Sequence, residues 1–337
     1  MSLIKNKKII SPIARGSGAF VIHDLLAKQI RNYRIAPYSP LRTLMPLSIK
    51  FIPSMNTADL IHTTPDYAIF STKKSIPLVI TFHHIVLDKW MRQYASIAQK
   101  IHYASDLKLW TYLAVKRASA ITAVSQYTAG MIKKELCIKS PVRVIYNGID
   151  VGFFRPSLSN RSNGKKISIF FSGNLTRRKG AHWLPAISDK LDSNIQIYYT
   201  KGLRRRGSLP ASDRLQPIGY VPFADMPQRY CDMDILLMPT VREGFGLSIA
   251  EAMACGLPVV ATNCSAIPEL IDEGKGGFLC PPGDVDAFAE KLNILANSPK
   301  MRQEMGEYNR SKVEKEFTLV RMVKEYKRLF HEILEIR

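Results

Sequence analysis

The chain has 337 residues, 46% apolar and 23% charged, which excludes a disordered polymer and leaves room for two domains with cores of their own. Its five cysteines are widely spaced and form no C-x-x-C pair, which argues against a zinc ribbon and a disulfide scaffold and agrees with a reducing compartment. The formal net charge of +20 is lopsided: residues 1–156 hold 22 Lys and Arg against 7 Asp and Glu, the remainder 26 against 21, so the first half is expected to meet something anionic.

The start, MSLIKNKKIISPIARGSG, has no apolar stretch long enough for a signal peptide, and no run reaches spanning length. A soluble or peripheral chain is expected. KKIISPIA reads as a first strand, and GSGAFV, residues 16–21, turns from it into a helix over Ala19–Arg31. The turn lacks the third glycine of a dinucleotide fingerprint, and no acidic residue ends the next strand, so a dehydrogenase reading is weak. NYRIAPYS, DLIHTTP, PLVITFHH, ASAITAVS and VRVIYNG read as further strands. Helices fit Gln126–Leu136 and much of Ile85–Arg117, while residues 40–56, with three prolines, read as irregular.

The stretch 88–117 mixes Trp90, Tyr94, Tyr103, Trp110 and Tyr112 with Lys89, Arg92, Lys100, Lys108 and Lys116. Rings beside cations suit a membrane interface; the plainer account packs the rings inward and leaves the lysines solvated. The charge of the whole half favours an anionic membrane surface.

PSLSNRSNGKK, residues 156–166, reads as a linker. Strands resume at KISIFFSGN, IQIYYTKG, LQPIGYV, DILLMP and LPVVATN, with helices over Ala181–Leu191 and Leu247–Ala254, and everything from Val285 onward reads as helix. Short strands alternating with helices predict two doubly wound α/β domains with a cleft between them. Asp232-Met233-Asp234 matches a D-x-D metal motif but leads into an apolar strand, so no metal and no cofactor are expected. His23, His62, His102 and His182 read as helix-face or loop groups, and Leu203-Arg204-Arg205-Arg206-Gly207 as a solvated turn.

REGFGLSIAEAMACGLPVVAT, residues 242–262, places Glu243 beside Gly244-Phe245-Gly246 and Glu251 a little over one turn into a helix ended by Gly256. Glycines at a helix start let backbone N–H groups approach an anion, and a carboxylate can accept two hydroxyls of a diol. This stretch resembles the E-x7-E signature of the retaining GT-B glycosyltransferases of glycosyltransferase family four, EGFGLxxxEAMAxGxPVV. VIYNGIDVGFFRP, SGNLTRRKG, IGYVPFADMPQRYCDMDILLMP, TFHH and GSG are similar to other landmarks of that family, in its order.

The resemblance implies a GT-B architecture: an acceptor-side domain over 1–156, a donor domain over 166–318, and a helix over 319–337 packing back on the first. It implies transfer of a hexose, with retention, from a UDP- or GDP-linked sugar to a glycan or lipid-linked acceptor in polysaccharide or lipopolysaccharide synthesis. Glu243, Lys179 and His83 are implied as catalytic, with His83 preferred over His84. Gly16, Gly18, Asn174, Arg178, Lys179, Val221, Gly244, Phe245, Gly246, Leu247 and Glu251 are implied to bind the donor, Glu251 through the ribose hydroxyls and Gly244 to Leu247 through backbone amides. Asn174 stands where the family often has Arg, leaving Arg177 or Arg178 to supply the second positive charge, and Arg242 replaces a usual aromatic or apolar residue. No nucleic acid is expected as partner; a peripheral place at the inner face of the cytoplasmic membrane is. A nucleotide-sugar 2-epimerase of the same architecture and a basic nucleic-acid-binding α/β protein are the rival readings, and neither accounts for the two glutamates.

Overall fold

The structure, a computed structural model, describes residues 7–71, 73, 75–85, 106–157, 166–202 and 207–335. The chain forms two compact units, Met1–Asn147 with Val320–Arg337, and Gly148–Leu319. Residues 148–156, expected with the first domain, therefore belong to the second unit, and most of the 156–166 stretch lies outside the described residues.

In the first unit six strands, β1 (Ile9–Ala14), β2 (Tyr33–Tyr38), β3 (Leu60–Thr63), β4 (Leu78–Phe82), β5 (Ala120–Ala123) and β6 (Val142–Val144), make one parallel sheet in the order β2-β1-β3-β4-β5-β6. β3 and β4 are buried at every position because helical and loop layers cover both faces, which is why LIHT and LVITF show no polar alternation. The last helix, Leu319–Glu335, belongs to this unit from Val320 on; it buries Met322, Val323, Tyr326, Leu329 and Phe330 at helical spacing.

The second unit holds β7 (Ile167–Phe171), β8 (Ile195–Thr200), β9 (Leu215–Gly219), β10 (Ile235–Met238), β11 (Val259–Thr262) and β12 (Gly277–Cys280). They are parallel in the order β9-β8-β7-β10-β11-β12. The chain starts in the middle, winds outward through β8 and β9, then returns to β10. Open sheets of this kind bind ligands beyond the carboxyl ends of the two strands where the winding reverses. Here those are β7 and β10; in the first unit they are β1 and β3.

Two sequence expectations change. Residues 40–57 are ordered as short 3-10 helices, Pro40–Leu44, Pro46–Phe51 and Pro53–Thr57, each opened by the proline whose missing N–H has no partner to lose there. Strand β12 and the helices Met226–Cys231 and Ile267–Leu270 were not foreseen. Of the aromatic and basic stretch 88–117, only Asp106–Arg117 is described, as helix. There Trp110 is half-buried, edge-on to Phe70 with ring centres 5.2 Å apart, while Tyr112 is exposed.

The chain passes between the units at two adjacent places. Ile149 donates to Phe317 O and Leu319 to Ile149 O, each at 2.8 Å, and a Cβ on Gly148 would stand 2.5 Å from the Leu319 Cα. Only glycine fits that approach.

Candidate active site

Beyond β7 the chain turns through Ser172, Gly173 and Asn174 into the short 3-10 turn Arg177–Lys179, where the Thr176 side chain accepts from the Lys179 N–H. Gly180 closes the turn at φ +73°, and a Cβ there would lie 1.9 Å from the Pro239 carbonyl oxygen. The glycine of R-K-G is thus required by the close passage of the chain leaving β10. That passage brings Lys179 against Glu243: Nζ donates to Oε1 at 2.6 Å, with both side chains almost buried.

The same carboxylate oxygen accepts from Thr240 Oγ1 at 3.0 Å and lies 3.9 Å from Arg178 Nη1. Arg178 in turn donates to the Arg242 carbonyl at 2.7 Å. Arg178 is therefore the second cation of the site, while Arg177 is exposed. Burial by itself would raise the Glu243 pKa, but Lys179, then Arg178 and the Thr240 hydroxyl, outweigh it and hold the group below the usual carboxylate range. The Glu243 N–H is fixed by Ser265 Oγ at 3.0 Å, and Ser265 itself sits in the left-handed region at φ +54°.

Glu251 lies on the helix Leu247–Ala254. Tyr230 donates its hydroxyl to Glu251 Oε2 at 2.9 Å, and Ser172 Oγ stands 3.3 Å from the same phenol oxygen. Burial pushes the Glu251 carboxyl up to about 7, against the opposing Tyr230 hydrogen bond and the Lys179 charge. One ammonium therefore acts on both carboxylates, which brings Lys179, Glu243 and Glu251 into one neighbourhood at the β7/β10 reversal.

The helix opens on Gly246, at φ +108°, and among the described residues no side chain caps its N-terminus. Gly244 precedes it. Phe245 is buried, its ring 5.6 Å from that of Phe317. Leu247 is the first helical residue and is half-buried. A Cβ on Gly246 would meet Leu270 Cδ1 at 3.1 Å. With the left-handed backbone, Gly246→Ala is expected to cost about 1–2 kcal/mol. Urea unfolding checks this; an unchanged midpoint would contradict it.

Asn174 lies beside Gly202, at the ends of β7 and β8, where a Cβ on Gly202 would meet its Oδ1 at 2.5 Å. Val221 follows β9, further along the same edge of the sheet, and is partly buried. Arg204, Arg205 and Arg206 lie outside the described residues. The acids of Asp232-Met233-Asp234 have structural partners: Asp234 Oδ2 accepts from the Ser168 N–H at 2.9 Å, and Asp232 Oδ1 from Gln228 Nε2 at 2.7 Å.

In the first unit, β1 runs into Gly16 at φ +77°, and Ser17 caps the helix that Gly18 begins by accepting from the Phe20 N–H. His83 follows β4 directly and is partly exposed; its Nε2 stands 3.3 Å from His23 Nε2. Burial first, and then the neighbouring His23, hold the His83 pKa well below its ordinary value. His62, which reads in the sequence as a helix-face or loop group, is a buried residue of β3. Tyr230, Ser265, Thr240 and Ser172 were not singled out beforehand. Tyr230, Ser265 and Ser172 act on residues more than twenty positions away, Thr240 on its near neighbour Glu243, and only the left-handed Ser265 after the β11 strand carries a local peculiarity.

Residues 166–298 match the family described as Glycosyl transferases group 1, and residues 14–153 the one described as Glycosyltransferase Family 4. The chain is 27% identical over 287 residues to the sulfoquinovosyl transferase SQD2 of Arabidopsis thaliana, 76% of this chain and 53% of that protein. It is 28% identical over 193 residues to the putative colanic acid biosynthesis glycosyltransferase WcaL of Escherichia coli, 52% of this chain and 47% of that one. The chain thus spans about half the length of these curated relatives. Among solved structures, Anabaena HepE in complex with UDP and glucose superposes with a TM-score of 0.80 at 21% identity, covering 97% of this chain and all of that one, and fixes the fold as GT-B.

Proposed function

From the premise of a GT-B chain whose two halves match glycosyltransferase families, we propose a retaining glycosyltransferase that moves a hexose from a nucleotide-diphosphate sugar to a glycan or lipid-linked acceptor. The observation that carries this reading is the Lys179 ammonium acting on Glu243 and Glu251 beside the uncapped helix start at Gly246. The diphosphate seats on the leading N–H groups, with Lys179 and Arg178 meeting its charge. Glu251 accepts from the ribose hydroxyls and Glu243 from the sugar. His83 meets the sugar or the acceptor.

In the reaction the bond from the anomeric carbon to the diphosphate oxygen breaks while the acceptor oxygen joins on the same face. The acceptor's proton passes to the departing diphosphate oxygen. Stabilising that developing charge falls to Lys179, which requires no general base from the protein. A thermal-shift panel of UDP, GDP, ADP and their sugars tests the donor site. At one hundred times its dissociation constant the right ligand adds about 2.7 kcal/mol of stability. A melting point unmoved by every nucleotide would overturn the reading.

The acceptor side is proposed to work at an anionic lipid surface, at the inner face of the cytoplasmic membrane. Among the described residues, no helix is long and apolar enough to cross a membrane. Support comes from the 3-10 segment, where Leu41, Leu44, Met45, Leu47 and Phe51 are 61–80% exposed. Residues 25–58 hold five Lys and Arg and not one acid. Exposed apolar groups ringed by cations suit the headgroup boundary. Flotation with phosphatidylglycerol vesicles at low salt is expected, and Leu44→Asp with Phe51→Asp should weaken it by more than about tenfold. Wild-type protein that stays with the unbound fraction would contradict this.

A further inference from the structure

Behind His83 lies a chain of buried polar side chains that the proposed reaction leaves unused. His23, on the helix Gly18–Gln29, has its Nε2 3.3 Å from His83 Nε2. On its other side His23 Nδ1 stands 2.7 Å from Ser11 Oγ and 2.8 Å from the Tyr33 hydroxyl. That hydroxyl is 2.8 Å from His62 Nδ1, and His62 Nε2 is 2.7 Å from Thr81 Oγ1. Thr81 meets Thr122 Oγ1 at 2.6 Å, and Thr122 donates to the Ile80 carbonyl at 3.3 Å. The His23 and His62 rings stack with centres 4.4 Å apart, which holds both in place.

The direction of this chain follows from its far end. Burial keeps the three imidazoles neutral, so each has one donor and one acceptor nitrogen. A carbonyl only accepts, so the Thr122 hydroxyl proton goes to Ile80 and its oxygen receives from Thr81. Thr81 then receives from His62 Nε2–H, which leaves His62 Nδ1 to accept from the Tyr33 hydroxyl. The Ser11 hydroxyl, beside both groups, turns its own proton to the Tyr33 oxygen, so the oxygens of Tyr33 and Ser11 both face His23 Nδ1 as acceptors and Nδ1 carries the hydrogen. His23 Nε2 is left with a lone pair, and it can only take the proton of His83 Nε2–H.

We propose that His23, backed by Tyr33 and His62, is a positioning residue for His83: it holds the His83 proton on Nε2 and so presents Nδ1 as a hydrogen-bond acceptor for a substrate hydroxyl. The catalytic consequence rests on the reading that His83 meets the sugar or acceptor; the tautomer does not. A ring free to choose its tautomer would offer Nδ1 as a donor part of the time, and a hydroxyl bound that way keeps its own proton unmatched.

The test reads the tautomer directly, from two-bond 1H–15N correlations of His83 in the full chain labelled with 15N-histidine. The wild type is expected to show the Nε2–H form. Tyr33→Phe removes one oxygen from the chain, and should turn His83 into a mixture of tautomers and lower kcat by about tenfold, with the donor KM little changed. Should Tyr33→Phe fold poorly, His23 variants decide. His23→Gln keeps an acceptor towards His83 and should retain most of the turnover; His23→Leu keeps apolar bulk and should lose it about tenfold. A wild-type Nδ1–H tautomer, or His23→Leu as active as His23→Gln, overturns the proposal. Wild-type turnover in His83→Ala with a fixed Nε2–H tautomer would instead strike down the substrate contact, leaving the hydrogen-bond chain as found.

Discussion

Lys179→Met is expected to lower kcat by a hundred- to a thousandfold, about 3–4 kcal/mol of lost transition-state stabilisation. Lys179 reaches Glu243 at 2.6 Å in an almost buried setting, and its charge also acts on Glu251. No other side chain of the R-R-K turn is so placed, since Arg178 stands 3.9 Å from the same oxygen and spends a donor on the Arg242 carbonyl. The substitution also leaves Glu243 buried with a weaker set of partners, for a loss of roughly 3 kcal/mol in stability at pH 7.

The pH dependence of that loss has a definite sign. Glu243 is depressed below its ordinary value in the folded wild type, so its contribution is full above the unfolded value near 4.5 and fades as pH falls through the folded one. In Lys179→Met the main depressing charge is gone, and mild acid should narrow the stability gap between variant and wild type. Steady-state kinetics and urea unfolding at pH 5 and pH 7 check both parts. Wild-type kcat in a folded variant would refute the role of Lys179.

Glu251→Gln is expected to weaken donor binding by ten- to a hundredfold while making the empty protein more stable at pH 8. A carboxylate accepts from both hydroxyls of a diol, whereas an amide offers one acceptor and a misdirected donor. The stability gain has a separate origin. Burial pushes the folded Glu251 up to about 7 from an ordinary value of 4.5. Between those values the folded protein keeps a proton that the unfolded chain has released, so stability falls as pH rises through that window. Allowing for the partial exposure of the side chain, the fall is roughly 2 kcal/mol. Glu251→Gln has no such proton to lose. Urea midpoints from pH 5 to pH 8 should decline in the wild type and run flatter in the variant; parallel profiles would contradict the buried-carboxyl account. Donor affinity of the wild type should rise through pH 7 as Glu251 ionises.

The sequence made the second unit's site legible where its parts are neighbours in the chain. Glu243, the glycines and Glu251 fall within one short strip, and the helix that carries Glu251 is bounded by Gly246 and Gly256. The partnership of Lys179 with Glu243 crosses 64 positions and exists because β7 and β10 are adjacent in the sheet, which no local pattern states. Tyr230 was hidden for the same reason: its partner Glu251 is a turn, a strand and a loop away. Strand β12 escaped notice because GFLC is four residues long, begins on glycine and runs into two prolines. The histidines show the opposite failure. Read singly, His23 and His62 are bland, and they acquire meaning only when a helix and two strands set Tyr33 between them.

A diphosphate is expected to seat where β7 and β10 leave the sheet, between Lys179 and the start of the helix at Leu247. Isothermal titration of UDP, GDP and ADP into the wild type, Lys179→Met and Glu251→Ala measures this most directly. At least one nucleotide should bind with a dissociation constant in roughly the micromolar range, and each substitution should weaken it by about tenfold or more. Undiminished affinity in both variants, or no nucleotide bound by the wild type, would contradict it.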